Sequence, residues 1–259
     1  MNVISTPNSS RIILALDVDT VVKAVGLMDA TRGQINTVKI GLELITAQIA
    51  GEVCTEAKNR GLAVFWDGKP DDVPRTIGKS VKEAAKRGAK MINVHANATV
   101  EGMMAAVANK GDALILAVSA LTSIETEEVE LEFGHSRKAQ VLYYARNASY
   151  AGCDGLICSP KELEFLAKFY GRKENPEKQL ARLVKVIPGT RSPGADAKDQ
   201  KNVLTQEVAI QNGANWLVIG SEINGAENPA TAAEALNIRI AQALAEKEKT
   251  EQQKGAVTA

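Results

Sequence analysis

The chain has 259 residues, 45% hydrophobic and 24% charged, which is ordinary for a soluble globular protein and enough for one α/β barrel or two smaller domains. Lys plus Arg and Asp plus Glu balance at 31 each, so no global basic field recruits nucleic acid or a membrane surface, and an anion site has to be local. Three cysteines (Cys54, Cys153 and Cys158) form neither a C-x-x-C nor an even-numbered framework, and the simple reading is a reduced, cytoplasmic interior. Residues 1–10 are polar and lack a hydrophobic signal core, and no apolar run is long enough to span a bilayer. His95 and His135 are far apart in sequence, which speaks against a His-rich metal site.

In chain order, apolar runs read as strands over Arg11–Val18, Thr37–Gly41, Leu62–Asp67, Met91–His95, Ala113–Ser119, Gly155–Ser159, Val184–Pro188 and Trp216–Gly220. Helical patterns alternate with them at Thr20–Thr31, Glu43–Arg60, Pro74–Arg87, Thr99–Asn109, Ser136–Ala151, Pro160–Tyr170, Thr205–Asn212 and Pro229–Lys247. Continuous apolar strands separated by helices indicate a parallel sheet covered on both faces. Eight such units in this length predict an α/β fold of one (β/α)8 TIM barrel over residues 1–247. Residues 248–259 are polar and are expected to fray. Two insertions stand out: the Glu-rich Ile124–Gly134, read as a solvated face, and the Gly-, Pro- and charge-rich Gly189–Gln200.

Barrels of this kind carry their active sites at the C-terminal ends of the strands. Polar or small residues close every predicted strand: Asp17, Lys39 before Gly41, Asp67 with Lys69, His95, Leu121-Thr122-Ser123, Ser159, Pro188-Gly189 and Gly220-Ser221. The densest stretch is Asp67-Gly68-Lys69-Pro70-Asp71-Asp72-Val73-Pro74-Arg75-Thr76, which crowds carboxylates and a lysine where the third strand ends. Neighbouring acids hold such a lysine protonated, which suits a proton donor or a group that steadies developing negative charge. Taken alone, the same stretch reads more readily as a solvated, acid-rich turn, and Asp17 equally as the cap of the helix that starts near Thr20. Lys39 is harder to dismiss, because a lysine inside an apolar strand needs a carboxylate partner, with Asp17, Asp67 and Asp72 the nearest candidates. Cys153, Cys158, Trp66 and Trp216 read as packing, and His95 as a rim residue.

The loop Pro188-Gly189-Thr190-Arg191-Ser192-Pro193-Gly194 offers backbone N–H groups and a guanidinium, and the ends of strands seven and eight often build a phosphate site in barrels. Neither G-x-G-x-x-G after the first strand nor G-x-x-x-x-G-K-[ST] occurs, so no nucleotide cofactor is indicated.

In this order, Leu14-Ala15-Leu16-Asp17, Val38-Lys39-Ile40-Gly41, Asp67-x-Lys69-x-x-Asp72-Val-Pro-x-Thr76, Asn93-Val94-His95-Ala96, Leu121-Thr122-Ser123, Gly155-Leu-Ile-Cys-Ser159, Pro188-Gly189-x-Arg191, Asp199-Gln200 and Val218-Ile219-Gly220 resemble the orotidine 5'-phosphate decarboxylase family over nearly the whole chain. The resemblance implies conversion of orotidine 5'-phosphate to UMP with no metal and no organic cofactor. It implies Lys69 as proton donor to C6 and Asp67 against the substrate carboxylate, within a network of Lys39, Asp67, Lys69 and Asp72. It places Asp17 and Lys39 at the ribose, Thr122 near the pyrimidine, and Arg191, Gln200, Gly220 and Ser221 at the phosphate end. It also implies a homodimer in which Asp72 and Thr76 reach the neighbouring site.

Three positions depart from the family pattern. Ser221 stands where an Arg usually grips phosphate, a loss of roughly 1.5–3 kcal/mol for one charge-assisted contact. Arg75 replaces an Asn, and Asn97-Ala98-Thr99 stands where two glycines are usual. Arg75, Arg191 or Lys198 is expected to supply part of the missing charge. Two rival readings are a Mg²⁺-dependent sugar-phosphate decarboxylase or aldolase of the same barrel group, and a non-catalytic nucleotide-binding barrel. The first usually has an acid as metal ligand where Lys39 stands, and an ammonium there repels a divalent cation. Against the second, four interacting charges are costly to keep without use.

Overall fold

The computed structural model describes residues 10–119, 134, 136–170, 178–192 and 204–257. Within them, eight parallel strands close into a barrel in sequence order: β1 Ile12–Ala15, β2 Thr37–Ile40, β3 Ala63–Trp66, β4 Met91–His95, β5 Leu114–Val118, β6 Gly155–Ile157, β7 Val184–Pro188 and β8 Trp216–Ile219. β8 pairs back onto β1 through Ile13 and Val218, which removes both sheet edges. The helices between strands are α1 Val21–Ala30, α2 Leu42–Thr46, α3 Ala50–Asn59, α4 Pro74–Lys86, α5 Thr99–Ala108, α6 Arg137–Tyr150, α7 Pro160–Tyr170, α8 Gln206–Gln211, α9 Ser221–Asn224 and α10 Pro229–Val257, with a 3-10 turn at Lys178–Arg182.

Side chains alternate across each strand, and this parity sorts the core into two clusters. One parity faces the helices: Ile12, Leu14, Val38, Ile40, Val64, Ile92, Val94, Ile115 and Ala117 pack against residues such as Met28, Leu44, Val53, Ile77 and Met103. The other fills the barrel interior with Ile13, Phe65, Met91, Leu116, Val118, Ile157, Val186 and Trp216. Each fully buried aliphatic or Phe side chain contributes about 1.5–3 kcal/mol. The apolar filling makes the interior a packed core and confines open polar chemistry to the strand ends.

The helices start where their sequences allow. Thr20, Ser136 and Thr205 each accept the backbone N–H three residues on, at 3.3–3.4 Å, capping α1, α6 and α8. Pro74 opens α4, where its missing N–H costs nothing. The single helix expected over 43–60 is two, because Gln48 takes a left-handed φ of 63° and the chain turns between α2 and α3. The closing helix does not end at Lys247. It continues to Val257, since Glu, Lys and Gln there are strong helix formers. Among the described residues, no helix is long and apolar enough to cross a membrane.

Candidate active site

Strand parity builds the site. On β1 the inward series is Ile13, Ala15 and then Asp17. On β2 it is Thr37, Lys39 and Gly41, on β3 Phe65, Asp67 and Lys69, and on β4 Met91, Asn93 and His95. On β1, β3 and β4 the series climbs from hydrocarbon to polar groups, and β2 adds Lys39, so four neighbouring strands deliver ionisable side chains to one rim.

The charges alternate. Lys39 Nζ lies 2.9 Å from Asp17 Oδ1 and 3.3 Å from Asp67 Oδ2, and Lys69 Nζ lies 2.7 Å from Asp67 Oδ1. Asn93 Nδ2 also donates to Asp67 Oδ1. Lys39 and Asp67 are buried, whereas Asp17 and Lys69 stay partly open to solvent. Burial pushes the Asp67 carboxyl up, but Lys39 and Lys69 beside it outweigh this and hold it below the usual carboxylate range. Burial likewise pulls Lys39 down, and the Asp67 and Asp17 charges more than reverse it. At neutral pH Asp67 is therefore a carboxylate and Lys39 an ammonium, with Asp17 and Lys69 at the two ends of the row. Gly41 makes room for it, because a Cβ there would sit 2.8 Å from Lys39 Nζ.

Lys69 is held in a strained backbone conformation, with φ at +45°. Asn93 fixes it there: its Oδ1 accepts the Lys69 backbone N–H at 2.8 Å, while its amide nitrogen bonds Asp67. The β3–β4 ladder ends at Trp66 and Ile92, and the Asn93 side chain carries on the pairing above it. The His95 N–H to Pro70 carbonyl bond at 3.1 Å closes the turn.

The rim past β7 and β8 has a different character. Arg191 Nη1 donates to the Thr190 carbonyl at 2.9 Å, while Arg191 Nε and Thr190 Oγ1 are buried with no partner among the described residues. Asn224 Nδ2 donates to the Ala15 carbonyl at 2.8 Å, and its Oδ1 is likewise buried with no partner among the described residues. Among the described residues, no group of three or more His, Cys, Asp or Glu side chains is placed to hold a metal ion.

Residues 10–236 match the family described as Orotidine 5'-phosphate decarboxylase / HUMPS. The chain belongs to this family. Curated relatives named orotidine 5'-phosphate decarboxylase include that of Moorella thermoacetica, 36% identical over 89% of this chain and 92% of the relative. Those of Haemophilus influenzae and Actinobacillus succinogenes are 34% and 33% identical, each over 90% of this chain and 99% and 98% of theirs. The crystal structure of orotidine 5'-phosphate decarboxylase from Lactobacillus acidophilus superposes with a TM-score of 0.74 at 27% identity, covering 90% of this chain and 99% of that one.

Of the site residues expected from this family's pattern, one chain brings together Asp17, Lys39, Asp67 and Lys69. Asp72 and Thr76 are exposed, outside this cluster, and the Asp72 carboxylate accepts its neighbour Val73's N–H at 2.6 Å. Gly220 lies against the site, where a Cβ would be 3.4 Å from Asp17 Oδ2, and Ser221 is exposed at the start of α9. Thr122, Ser123, His135, Lys198 and Gln200 lie outside the described residues. Asp17 is not the cap of α1; Thr20 takes that role, which leaves the Asp17 carboxylate to Lys39. In the sequence Asn93 stands out only as a motif landmark; its bridging role shows in the fold. Its signal was inward parity, two residues beyond Met91.

Proposed function

We propose that the protein decarboxylates orotidine 5'-phosphate to UMP without a metal or organic cofactor, as a cytoplasmic homodimer. The observation that carries this is the alternating row Asp17–Lys39–Asp67–Lys69. Asp67, kept ionised, lies against the substrate carboxylate. The C6–carboxylate bond breaks, carbon dioxide leaves, and the electron pair stays on C6. The Lys69 ammonium faces that charge as it develops and then gives C6 its proton. Asp17 and Lys39 orient the ribose. Asp72 and Thr76, exposed in one chain, complete the row in the neighbouring subunit, while Thr122, Arg191, Gln200, Gly220 and Ser221 line the rest of the substrate.

The Mg²⁺-dependent alternative within the barrel group is disfavoured by Lys39. Its ammonium stands in the position where a metal site needs a carboxylate. Lys69→Ala is expected to lower turnover at least about a hundredfold with an unchanged circular dichroism spectrum. Appreciable decarboxylation by that variant refutes the role given to Lys69.

A further inference from the structure

Three elements converge on the loop that follows β7. The Ser192 backbone N–H donates to both Glu222 carboxylate oxygens, at 3.2 and 3.3 Å, and its hydroxyl donates to Glu222 Oε2. That hydroxyl also accepts from Arg239 Nη1 at 2.7 Å. Gln206, wholly buried at the start of α8, donates to Glu222 Oε1 at 3.1 Å and accepts from Arg239 Nη2 at 3.4 Å. Arg239 Nε completes its fork on Glu207 Oε1. Beside this ring, the Arg191 N–H donates to the Leu204 carbonyl at 3.1 Å.

We propose that Arg239 and Glu222 are positioning residues, a latch that holds Gly189–Ser192 in the shape that grips the substrate phosphate. This rests on the functional reading above. The ring joins the loop past β7 to α8, α9 and α10, so it fixes the chain at the strand ends where barrels bind phosphate. The loop it fixes carries two buried polar groups without partners among the described residues, Thr190 Oγ1 and Arg191 Nε. Unpartnered buried donors are rare in folded proteins, and an oxyanion satisfies them. Ser221, next to the latch, supplies no guanidinium, so the phosphate depends more heavily on this loop keeping one shape. Arg239 is planar and forked, which lets one side chain hold Ser192, Gln206 and Glu207 at once. A lysine offers no such geometry. The hydrogen bonds of the latch go to Ser192, Gln206 and Glu207 and not to the row from Asp17 to Lys69, so its loss is felt through phosphate and not through the decarboxylation step.

The test compares orotidine 5'-phosphate with orotidine, which carries the same reacting ring and no phosphate. Arg239→Ala is expected to lower kcat/KM for orotidine 5'-phosphate at least about tenfold, while kcat/KM for orotidine stays within about twofold of wild type. Arg239→Lys, which keeps the charge but not the fork that holds Ser192, Gln206 and Glu207, follows the same pattern and carries the test alone if Arg239→Ala fails to fold. A wild-type protein active on the phosphorylated substrate, with variants that lose equally on both substrates or on neither, overturns the latch and leaves the function standing. A wild-type protein that turns over neither substrate overturns the functional reading and the latch together.

Discussion

Replacing Asp67 by Asn removes the one anion that lies between two ammonium groups. The Asp67 side chain is 9% exposed, Lys39 11% and Lys69 32%. Removing one partner of a buried ion pair costs about 3–5 kcal/mol, because the other charge stays desolvated. Here Lys39 keeps Asp17 at 2.9 Å, and Lys69 is open to water, which brings the expected loss to about 2–3 kcal/mol. With an m-value of about 3 kcal/mol/M, the urea midpoint at pH 7 falls by about 0.7–1 M. The pH dependence adds a second check. Asp67 sits below its ordinary value, so its contribution is complete above the unfolded carboxylate pKa of about 3.9 and is lost as the pH falls through the lower, folded value. The gap between wild type and Asp67→Asn therefore narrows in strong acid. An unchanged or raised midpoint at pH 7, or a gap that persists undiminished in strong acid, refutes the reasoning.

Further outcomes follow from the same geometry. Gly155→Ala is expected to destabilise by at least about 1–3 kcal/mol, since its Cβ would lie 2.6 Å from the Val184 carbonyl oxygen and 2.7 Å from Leu116 Cδ2; thermal unfolding measures this, and an unchanged Tm contradicts it. Asp154→Ala leaves the buried Ile115 N–H and the Lys110 ammonium without their shared carboxylate oxygen, at a cost of about 1.5–3 kcal/mol by urea titration; a loss under about 0.5 kcal/mol contradicts it. Burial raises all three thiols, Cys153 to about 12 and Cys54 and Cys158 above their usual value, so a thiol reagent at mildly alkaline pH is expected to label the native protein far more slowly than the urea-unfolded chain. Equal labelling rates contradict that burial.

The barrel was readable because its two signals are local. Apolar runs of strand length alternate with helical patterns, and every strand expected from the sequence lies on an observed one. Lys39 was readable too: an ammonium at inward parity in a buried strand needs carboxylates, and only neighbouring strands supply them. Asn93 was less readable, because one Asn in an apolar strand looks the same whether it bonds across to the end of the neighbouring strand or to its own backbone. The Arg239–Ser192–Glu222 ring left no sequence signal. Its members are far apart in the chain and meet only when α10 packs across α8, a tertiary event with no periodicity. The break between α2 and α3 was hidden because Gln48 adopts a left-handed conformation that its residue type does not favour.

The most direct measurement is the ultraviolet absorbance of orotidine 5'-phosphate mixed with the purified protein in excess EDTA. The account predicts a time-dependent fall as the substrate is consumed, with UMP as the product. No change in absorbance with a folded protein, together with turnover of a ketose phosphate only when magnesium is supplied, would contradict it.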